Sequence, residues 1–323
     1  MYLNLLNIMA SYQNNLFYVK LIKIISVIII MIIFMFVFRR VYNDWGSIHW
    51  DKINIQYIFI VPAILSAIFS NLLICYIWKK ILCLFKINIP FLSGCRIQLI
   101  SQIGKYIPGK IGLLFTKIVE CKKVGISEKI SIISTSYEIG LGLYFQLCVG
   151  LCTLPFFFEL LNNTTKIFSL KWMGVLGLLG FLFIHPQFFL WYVNIFLKMV
   201  KKDLIKMDIK FLDWLIIILS FLSLVLLNGL LGFFIINMFY AVSFENIFYI
   251  IGATSWAFLL GLLNVFAPSG IGVRDGILVG FYSYLMPGPL ALAVAITSRI
   301  VGTTIEWLLI SGAFLIKPER LKI

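Results

Sequence analysis

The chain consists of long apolar runs separated by short polar stretches, and most of the runs are long enough to form membrane-spanning helices. A transmembrane helix needs about 20 mostly apolar residues. Six runs meet this requirement, and they cover residues 17–38, 55–78, 126–161, 171–194, 212–240 and 289–316. The hydrophobic pattern therefore predicts an all-α polytopic membrane protein with about six full spans.

Two further apolar runs are interrupted by helix-breaking residues. Residues 90–122 are broken at Pro108-Gly109, and residues 246–286 are broken between Pro268 and Gly272. Each half is about 14–20 residues long, which is short for a span. Membranes tolerate broken backbone only where protein or a water-filled cavity shields it. We therefore expect two re-entrant helical hairpins, with discontinuous helices as the alternative.

The two breaks resemble each other. Pro108-Gly-Lys-Ile-Gly112 and Pro268-Ser-Gly-Ile-Gly272 share proline, isoleucine and the last glycine at an offset of 160 residues. A long span precedes each break and another follows it. This predicts an inverted repeat, with half A at about 55–161 and half B at about 212–316, within one domain covering 1–323. Chance similarity stays an alternative, because proline and glycine are common in membrane helices.

Composition and charge support a membrane location and predict the topology. The chain has 323 residues, of which 62% are hydrophobic and 12% charged, whereas soluble domains have about 25% charged residues. The net charge of +14 comes largely from lysines in loops such as 195–211. Basic loops stay in the cytoplasm, so we expect both termini to be cytoplasmic. We read the charge as topological and expect no nucleic-acid partner.

The ionisable residues inside the apolar runs are the candidates for function, because such residues are costly in lipid. Arg274 follows the second break, where free helix N–H groups and glycines suit a phosphate. We predict that Arg274 binds a phosphate and that carboxylates face a cationic or hydroxylated headgroup. The candidate site comprises Pro108, Gly109, Lys110, Gly112, Glu138, Pro268, Gly270, Gly272, Arg274, Asp275, Arg299 and Glu306.

Each of these residues also has a structural interpretation. The breaks are also explained as kinks that let helices pack closely, although close packing does not explain Arg274. The lysines near Pro108, namely Lys105, Lys110 and Lys117, are placed to reach the cytoplasmic surface. We expect Glu138 to approach Arg299 or Arg274, either to bind the substrate or as a static ion pair.

Motifs of catalysis are absent from the sequence. The six cysteines form no CxxC or Cys/His cluster, and the chain has no HExxH, GxSxG, Walker or GxGxxG motif. We therefore expect no catalytic residue, no metal and no cofactor.

The segment Ala-Pro-Ser-Gly-Ile-Gly-Val-Arg-Asp-Gly at 267–276 resembles the Pro-Gly-Gly-Leu-Gly-Val-Arg-Glu signature of a flippase-like family. This family is the transmembrane region of lysylphosphatidylglycerol synthases with its stand-alone relatives. Residues 105–112, followed by Glu138, are similar to its first motif. Ser269, Asp275 and Lys117 depart from its usual glycine, glutamate and arginine.

The resemblance implies a multi-pass protein of the inner (cytoplasmic) membrane that moves a lipid between leaflets. The cargo would be a glycolipid, a polyprenyl-phosphate-linked sugar or an aminoacyl phospholipid. We expect a membrane lipid as partner, with cell-envelope glycolipid or polysaccharide assembly proteins as further candidates. An integral-membrane transferase acting on a lipid-linked sugar is the alternative, and a non-transporting scaffold for polysaccharide assembly is a third hypothesis.

Overall fold

The computed structural model describes residues 55–106, 111–160, 185–199, 203–208, 210–263, 270 and 272–318, together with Met35 and Arg39. Every regular element in these ranges is helical. The first five α-helices are α1 (Ile60–Leu84), α2 (Phe91–Ser101), α3 (Ile111–Lys123), α4 (Glu128–Cys152) and α5 (Leu154–Leu160). A 3-10 helix, Gln102–Tyr106, continues α2.

Five further α-helices follow in the described part of the chain. They are α6 (Pro186–Met199), α7 (Phe211–Phe239), α8 (Ile247–Leu263), α9 (Val273–Tyr282) and α10 (Gly288–Leu315). Pro186 and Pro289 stand in the first turns of α6 and α10, where a missing backbone N–H costs nothing.

Within the described ranges, five helices are long and apolar enough to cross a membrane. They are Tyr57–Leu84, Glu128–Cys152, Phe211–Phe239, Phe244–Leu262 and Gly288–Leu315. Four of them coincide with predicted spans, and the all-α polytopic architecture is confirmed.

Two predicted spans lie largely outside the described residues, and one expected helix length was wrong. The predicted span 17–38, apart from Met35, and most of 171–194 lie outside the described residues. The expectation that both halves of the second broken run are too short to cross was wrong for Phe244–Leu262. It holds for α9, which has only 10 residues.

Helices α2 and α3 fold back on each other as the first hairpin, residues 91–123. A methyl group on Gly104 would lie 2.2 Å from the carbonyl oxygen of Gly112, so the backbones of the two arms are in contact near the tip of the hairpin. Further from the tip, the Thr116 hydroxyl donates to the Ser101 carbonyl at 2.9 Å. The paired positions show that the two arms are antiparallel.

Helices α8 and α9 form the second hairpin, residues 247–282. Near its tip, Gly270 has φ +68°, and a methyl group there would lie 3.3 Å from the Gly261 carbonyl oxygen. At its open end, the Tyr249 hydroxyl donates to the Phe281 carbonyl at 2.8 Å. Glycine is required at Gly270 because L-residues with side chains are strained at this backbone conformation.

The two hairpins enter the helix bundle from opposite ends. Gln56 N donates to the Met238 carbonyl at 2.9 Å, and Lys80 Nζ lies 3.0 Å from Asp213 Oδ1, so α1 and α7 are antiparallel. The first hairpin begins where α1 ends, and the second begins where α7 ends. These are the directions that the inverted repeat predicts.

The packing of the two halves is reciprocal. The last span of the first half, α4, packs against α8, and the last span of the second half, α10, packs against α2. Helices α1 and α7 pack against each other at the centre. Small residues permit close approach, since a methyl group on Gly229 of α7 would lie 2.4 Å from Ile251 Cγ1 of α8.

One end of the bundle, where α1 and α3 end and α4 and α7 begin, is basic. We call it the basic face, and its lysines include Lys79, Lys86, Lys122, Lys123, Lys129, Lys198, Lys206, Lys210 and Lys317. The assignment of this face to the cytoplasm stays a prediction.

Candidate functional site

A polar cavity of about 160 Å³ lies between the tips of the two hairpins and helices α1, α7 and α10. Asn71, near the middle of α1, and Gly302, near the middle of α10, both contribute to its wall. The cavity is therefore at about half the depth of the spans. Among the described residues, five charged side chains line it, namely Lys105, Arg274, Asp275, Arg299 and Glu306.

The start of α9 places two of these side chains in the cavity wall. Gly272 has φ +82° and precedes the first residue of α9. Its N–H donates to Asp275 Oδ2 at 3.1 Å, so the carboxylate satisfies one of the free N–H groups at this helix end. Gly261 of α8 leaves room for the Arg274 side chain, because a methyl group at Gly261 would lie 3.1 Å from Arg274 Cβ.

Two ion pairs cross the cavity wall between different elements. Arg299 Nε of α10 donates to Asp275 Oδ1 of α9 at 2.8 Å. Lys105 Nζ, in the first hairpin, donates to Glu306 Oε2 of α10 at 2.5 Å. Helix α10 is thus bound to both hairpins by charge-assisted hydrogen bonds, which are stronger than neutral ones.

Arg274 has no such partner among the described residues. Its side chain makes no hydrogen bond or ion pair there, and its guanidinium Cζ lies 5.8 Å from the centroid of the Phe258 ring. Three cations and two carboxylates line the cavity, and each carboxylate pairs with one cation. The described part of the lining therefore carries one surplus positive charge, on Arg274.

Other polar atoms of the cavity lining are also unpartnered. Ser70 Oγ, Ser298 Oγ and Glu306 Oε1 are buried and have no hydrogen-bond partner within the described part of the chain. Buried polar atoms are nearly always hydrogen-bonded in folded proteins. Because these three atoms have almost no accessible surface, a ligand in the cavity reaches them only after the surrounding side chains move.

A second buried ion pair lies in the first half and corrects the expected location of Glu138. Lys117 Nζ donates to Glu138 Oε2 at 2.5 Å, and Gln98 Nε2 donates to Oε1 at 2.6 Å. The expectation that Glu138 approaches Arg299 or Arg274 was wrong. Glu138 of α4 pairs with Lys117 of the first hairpin, and Arg299 of α10 pairs with Asp275 of the second hairpin. The equivalent residues Glu138 and Arg299 therefore do not meet.

The lysines of the first hairpin are also placed differently from the expectation. Lys117 is fully buried, with Nζ 4.4 Å from the centroid of the Trp78 ring, and Lys105 binds Glu306. Neither of them reaches the basic face. Lys110 lies outside the described residues.

The remaining predicted site residues are distributed as follows. Arg274, Asp275, Arg299 and Glu306 meet in the cavity, and Glu138 lies outside its lining. Gly270 and Gly272 precede α9, and Gly112 packs against Gly104 near the first tip. Pro108, Gly109, Lys110 and Pro268 lie outside the described residues.

The sequence analysis missed Lys105 and Tyr106 as lining residues of the cavity. A usable signal was present, because Lys105 immediately precedes the first break and is a cation within an apolar run. Such a residue needs a partner inside the membrane, and Glu306 was the carboxylate without an assigned one.

The fold and the cavity define a class of integral membrane proteins in which two hairpins enter from opposite faces and meet beside a polar site at mid-depth. Residues 23–309 match the family described as the lysylphosphatidylglycerol synthase TM region, and the chain belongs to this family. None of the curated proteins compared with the chain matches it. The family connects this multi-pass membrane protein with membrane lipids.

Proposed function

We propose that this protein is a lipid transporter rather than an enzyme, and that it moves a phosphate-containing lipid between the leaflets of the membrane. In this proposal the headgroup phosphate binds Arg274 while the acyl or prenyl chains stay in the bilayer. The observation that carries the proposal is the guanidinium of Arg274 at mid-depth in the cavity, which pairs with no carboxylate among the described residues.

The environment of Arg274 favours an anionic ligand for three reasons. An unpaired cation within the membrane is costly, and a bound anion removes that cost. A guanidinium can donate two parallel hydrogen bonds to a phosphate. Arg274 also stands in the first turn of α9, where backbone N–H groups add partial positive charge.

The volume of the cavity indicates which part of the lipid it accommodates. Since water occupies about 30 Å³ per molecule in the liquid, 160 Å³ holds the equivalent of about five waters. This space suits a phosphate with part of a headgroup. A bulky glycan would require the hairpins to separate.

The carboxylates of the cavity are placed to contact the rest of the headgroup. Among the described residues Glu306 Oε1 has no hydrogen-bond partner, while Oε2 accepts from Lys105. Once a small side-chain movement exposes this buried oxygen, a hydroxyl or ammonium group of the lipid can donate to it without breaking the ion pair. This supports a headgroup that carries a donor close to its phosphate.

The proposal is tested by lipid exchange in proteoliposomes. Fluorescently labelled phosphatidylglycerol serves as the probe, and a reductant that quenches only the outer leaflet reports exchange. Arg274→Ala is expected to reduce the rate by about tenfold or more, because hydrogen bonds to charged groups contribute about 1.5–3 kcal/mol and 1.4 kcal/mol corresponds to a factor of ten. Lys198→Ala, which removes an exposed lysine at the basic face, is the control and should exchange at the wild-type rate.

Equal exchange rates for wild type and Arg274→Ala would contradict the role of Arg274. The transferase alternative predicts a different result, namely chemical turnover of a lipid-linked sugar by purified protein without leaflet exchange. Thin-layer chromatography of the lipids recovered from the same vesicles distinguishes the two functions.

A further inference from the structure

Two consecutive residue pairs close the contact between the tip of the first hairpin and α10, and we call this contact the seam. Lys105 pairs with Glu306 at 2.5 Å. The next residues, Tyr106 and Trp307, stack with ring centroids 5.6 Å apart and an angle of 26° between the planes. Lys105 Nζ also lies 5.3 Å from the centroid of the Tyr106 ring.

The seam has a polar side and a side that faces outwards. Lys105, Tyr106 and Glu306 line the cavity. On the other side, a shallow groove runs along α10, lined by Thr303, Thr304, Trp307, Leu308 and Ser311. Trp307 is 42% exposed and Leu308 is 62% exposed, so the groove opens on the outer surface of the described helices.

The cavity and the groove are neighbours across this seam. Thr303 lines both of them. Tyr106 belongs to the cavity wall and Trp307 to the groove wall, and these two residues form the aromatic stack between them. Parting the stack would join the polar cavity to the groove on the outer surface of the described helices.

We propose that Tyr106 and Trp307 form a lateral gate through which the lipid headgroup passes from the bilayer into the cavity, with the lipid chain in the groove. This inference rests on the proposed function, and it specifies the route of the same substrate. A lipid cannot withdraw its chains from the bilayer, so its headgroup must enter a mid-depth site sideways. The groove provides hydroxyl groups at Thr303, Thr304 and Ser311 along that route.

The first hairpin contacts α10 both at its base and near its tip. Near the basic face, Arg96 Nη1 donates to the carbonyls of Ile316 at 2.6 Å and Ala313 at 3.3 Å. Arg96 Nε also lies 3.5 Å from Glu120 Oε2. Near the tip, the contacts of the described residues with α10 include the Lys105–Glu306 pair, the aromatic stack and the contact of the Tyr106 side chain with Thr303. Opening the gate requires these contacts near the tip to break, whereas the Arg96 contacts at the base do not need to change.

A second aromatic stack provides a matched control. Phe156 and Phe248 stack with centroids 5.2 Å apart and an angle of 19°, which resembles the geometry of the gate. They join α5 to α8, and neither residue lines the cavity. Locking this pair should leave the headgroup route open.

The test uses disulfide crosslinking. Tyr106→Cys and Trp307→Cys are combined in the full chain with the three cysteines that are not buried, Cys83, Cys148 and Cys152, changed to serine. Labelled phosphatidylglycerol exchange is measured after oxidation and again after reduction. Oxidation is expected to slow exchange at least tenfold, and reduction should restore it. The Phe156→Cys and Phe248→Cys pair should show equal rates in both states.

Each other outcome has a definite meaning. Equal exchange by the oxidised and reduced gate variants, with crosslinking verified by mass spectrometry, would overturn the gate and leave the proposed function intact. Since a disulfide needs the two Cβ atoms about 4 Å apart, a bifunctional thiol crosslinker replaces the oxidant for both pairs if no disulfide forms, and unchanged exchange by the crosslinked gate variant then overturns the gate. If wild type exchanges no faster than protein-free vesicles, the proposed function fails, and the gate fails with it.

A second measurement requires no cysteine. Phosphatidylglycerol with brominated chains quenches tryptophan fluorescence on contact, and the difference between wild type and Trp307→Phe isolates the signal of Trp307. The gate predicts that brominated chains quench Trp307. Equal quenching of wild type and Trp307→Phe would contradict the presence of a lipid chain in the groove.

Discussion

Breaking the buried Lys117–Glu138 pair by changing one partner is expected to destabilise the protein strongly. The Lys117 side chain has 0% exposure and the Glu138 side chain 7%, so neither charge can turn to water when its partner is removed. Lys117→Met therefore leaves a carboxylate buried without a cation. This perturbation tests whether the first half is a sealed structural unit, in contrast to the open cavity of the second.

The magnitude follows from the contacts of the pair. Removing one partner of a buried ion pair costs about 3–5 kcal/mol. Losing the Lys117 contact with Trp78 adds up to about 2 kcal/mol. The remaining hydrogen bond from Gln98 supports the carboxylate by about 1.5–3 kcal/mol. The last two contributions roughly offset each other, so we expect a loss of about 3–5 kcal/mol in the free energy of unfolding.

The assay is equilibrium unfolding in mixed micelles as the fraction of denaturing detergent rises, followed by circular dichroism. The double variant Lys117→Met with Glu138→Gln removes both charges and should recover most of the stability, because neutral replacements of buried pairs are often well tolerated. Its lipid exchange should stay near the wild-type rate. A loss of less than about 1 kcal/mol for Lys117→Met, the value of a surface pair, would refute the buried interaction. Loss of exchange by a stable double variant would show that the pair participates in transport.

Two further predictions concern the hairpins. Gly104→Ala should destabilise the protein far more than Gly140→Ala, because a methyl group on Gly104 meets the Gly112 backbone at 2.2 Å while none lies within 4 Å of Gly140; equal melting temperatures of the two variants would contradict the tight first hairpin. Asp275→Asn should free the Arg299 guanidinium and add a second surplus positive charge to the cavity. Exchange of labelled phosphatidic acid, which carries more charge than phosphatidylglycerol, should then rise relative to phosphatidylglycerol, and an unchanged ratio of the two rates would count against the charge argument.

Hydrophobic patterning predicted most of the described fold because a membrane requires each span to be apolar over a fixed length. Helices α1, α4, α7 and α10 therefore appear where the long runs were found. The breaks at proline and glycine also located the turns of both hairpins. Whether α8 is long enough to span was harder to predict, because the apolar run between Asn246 and Asn264 is close to the minimum length of a span.

The partners of the buried charges could not be obtained from sequence. Four of the predicted residues meet in the cavity because all of them lie close to the second break or on the span that follows it. The equivalent positions of Glu138 and Arg299 in the two halves wrongly suggested that these residues meet, whereas Glu138 pairs with the first hairpin and Arg299 with the second. Lys117 lies in the middle of the short helix α3, and sequence alone does not distinguish a lysine that reaches the surface from one buried against Trp78.

If the protein transports lipid as proposed, the unbalanced charge on Arg274 should make the transport cycle sensitive to voltage in only one of its states. An elementary charge that crosses a potential of 100 mV changes in energy by about 2.3 kcal/mol. With its cavity empty, the protein carries that charge at mid-depth, and any rearrangement that moves the hairpin relative to the field is electrogenic. A bound phosphate monoanion cancels it, so the loaded protein moves the same elements with no net charge. Membrane polarisation should consequently bias the return of the unloaded protein and leave the lipid-carrying step unaffected.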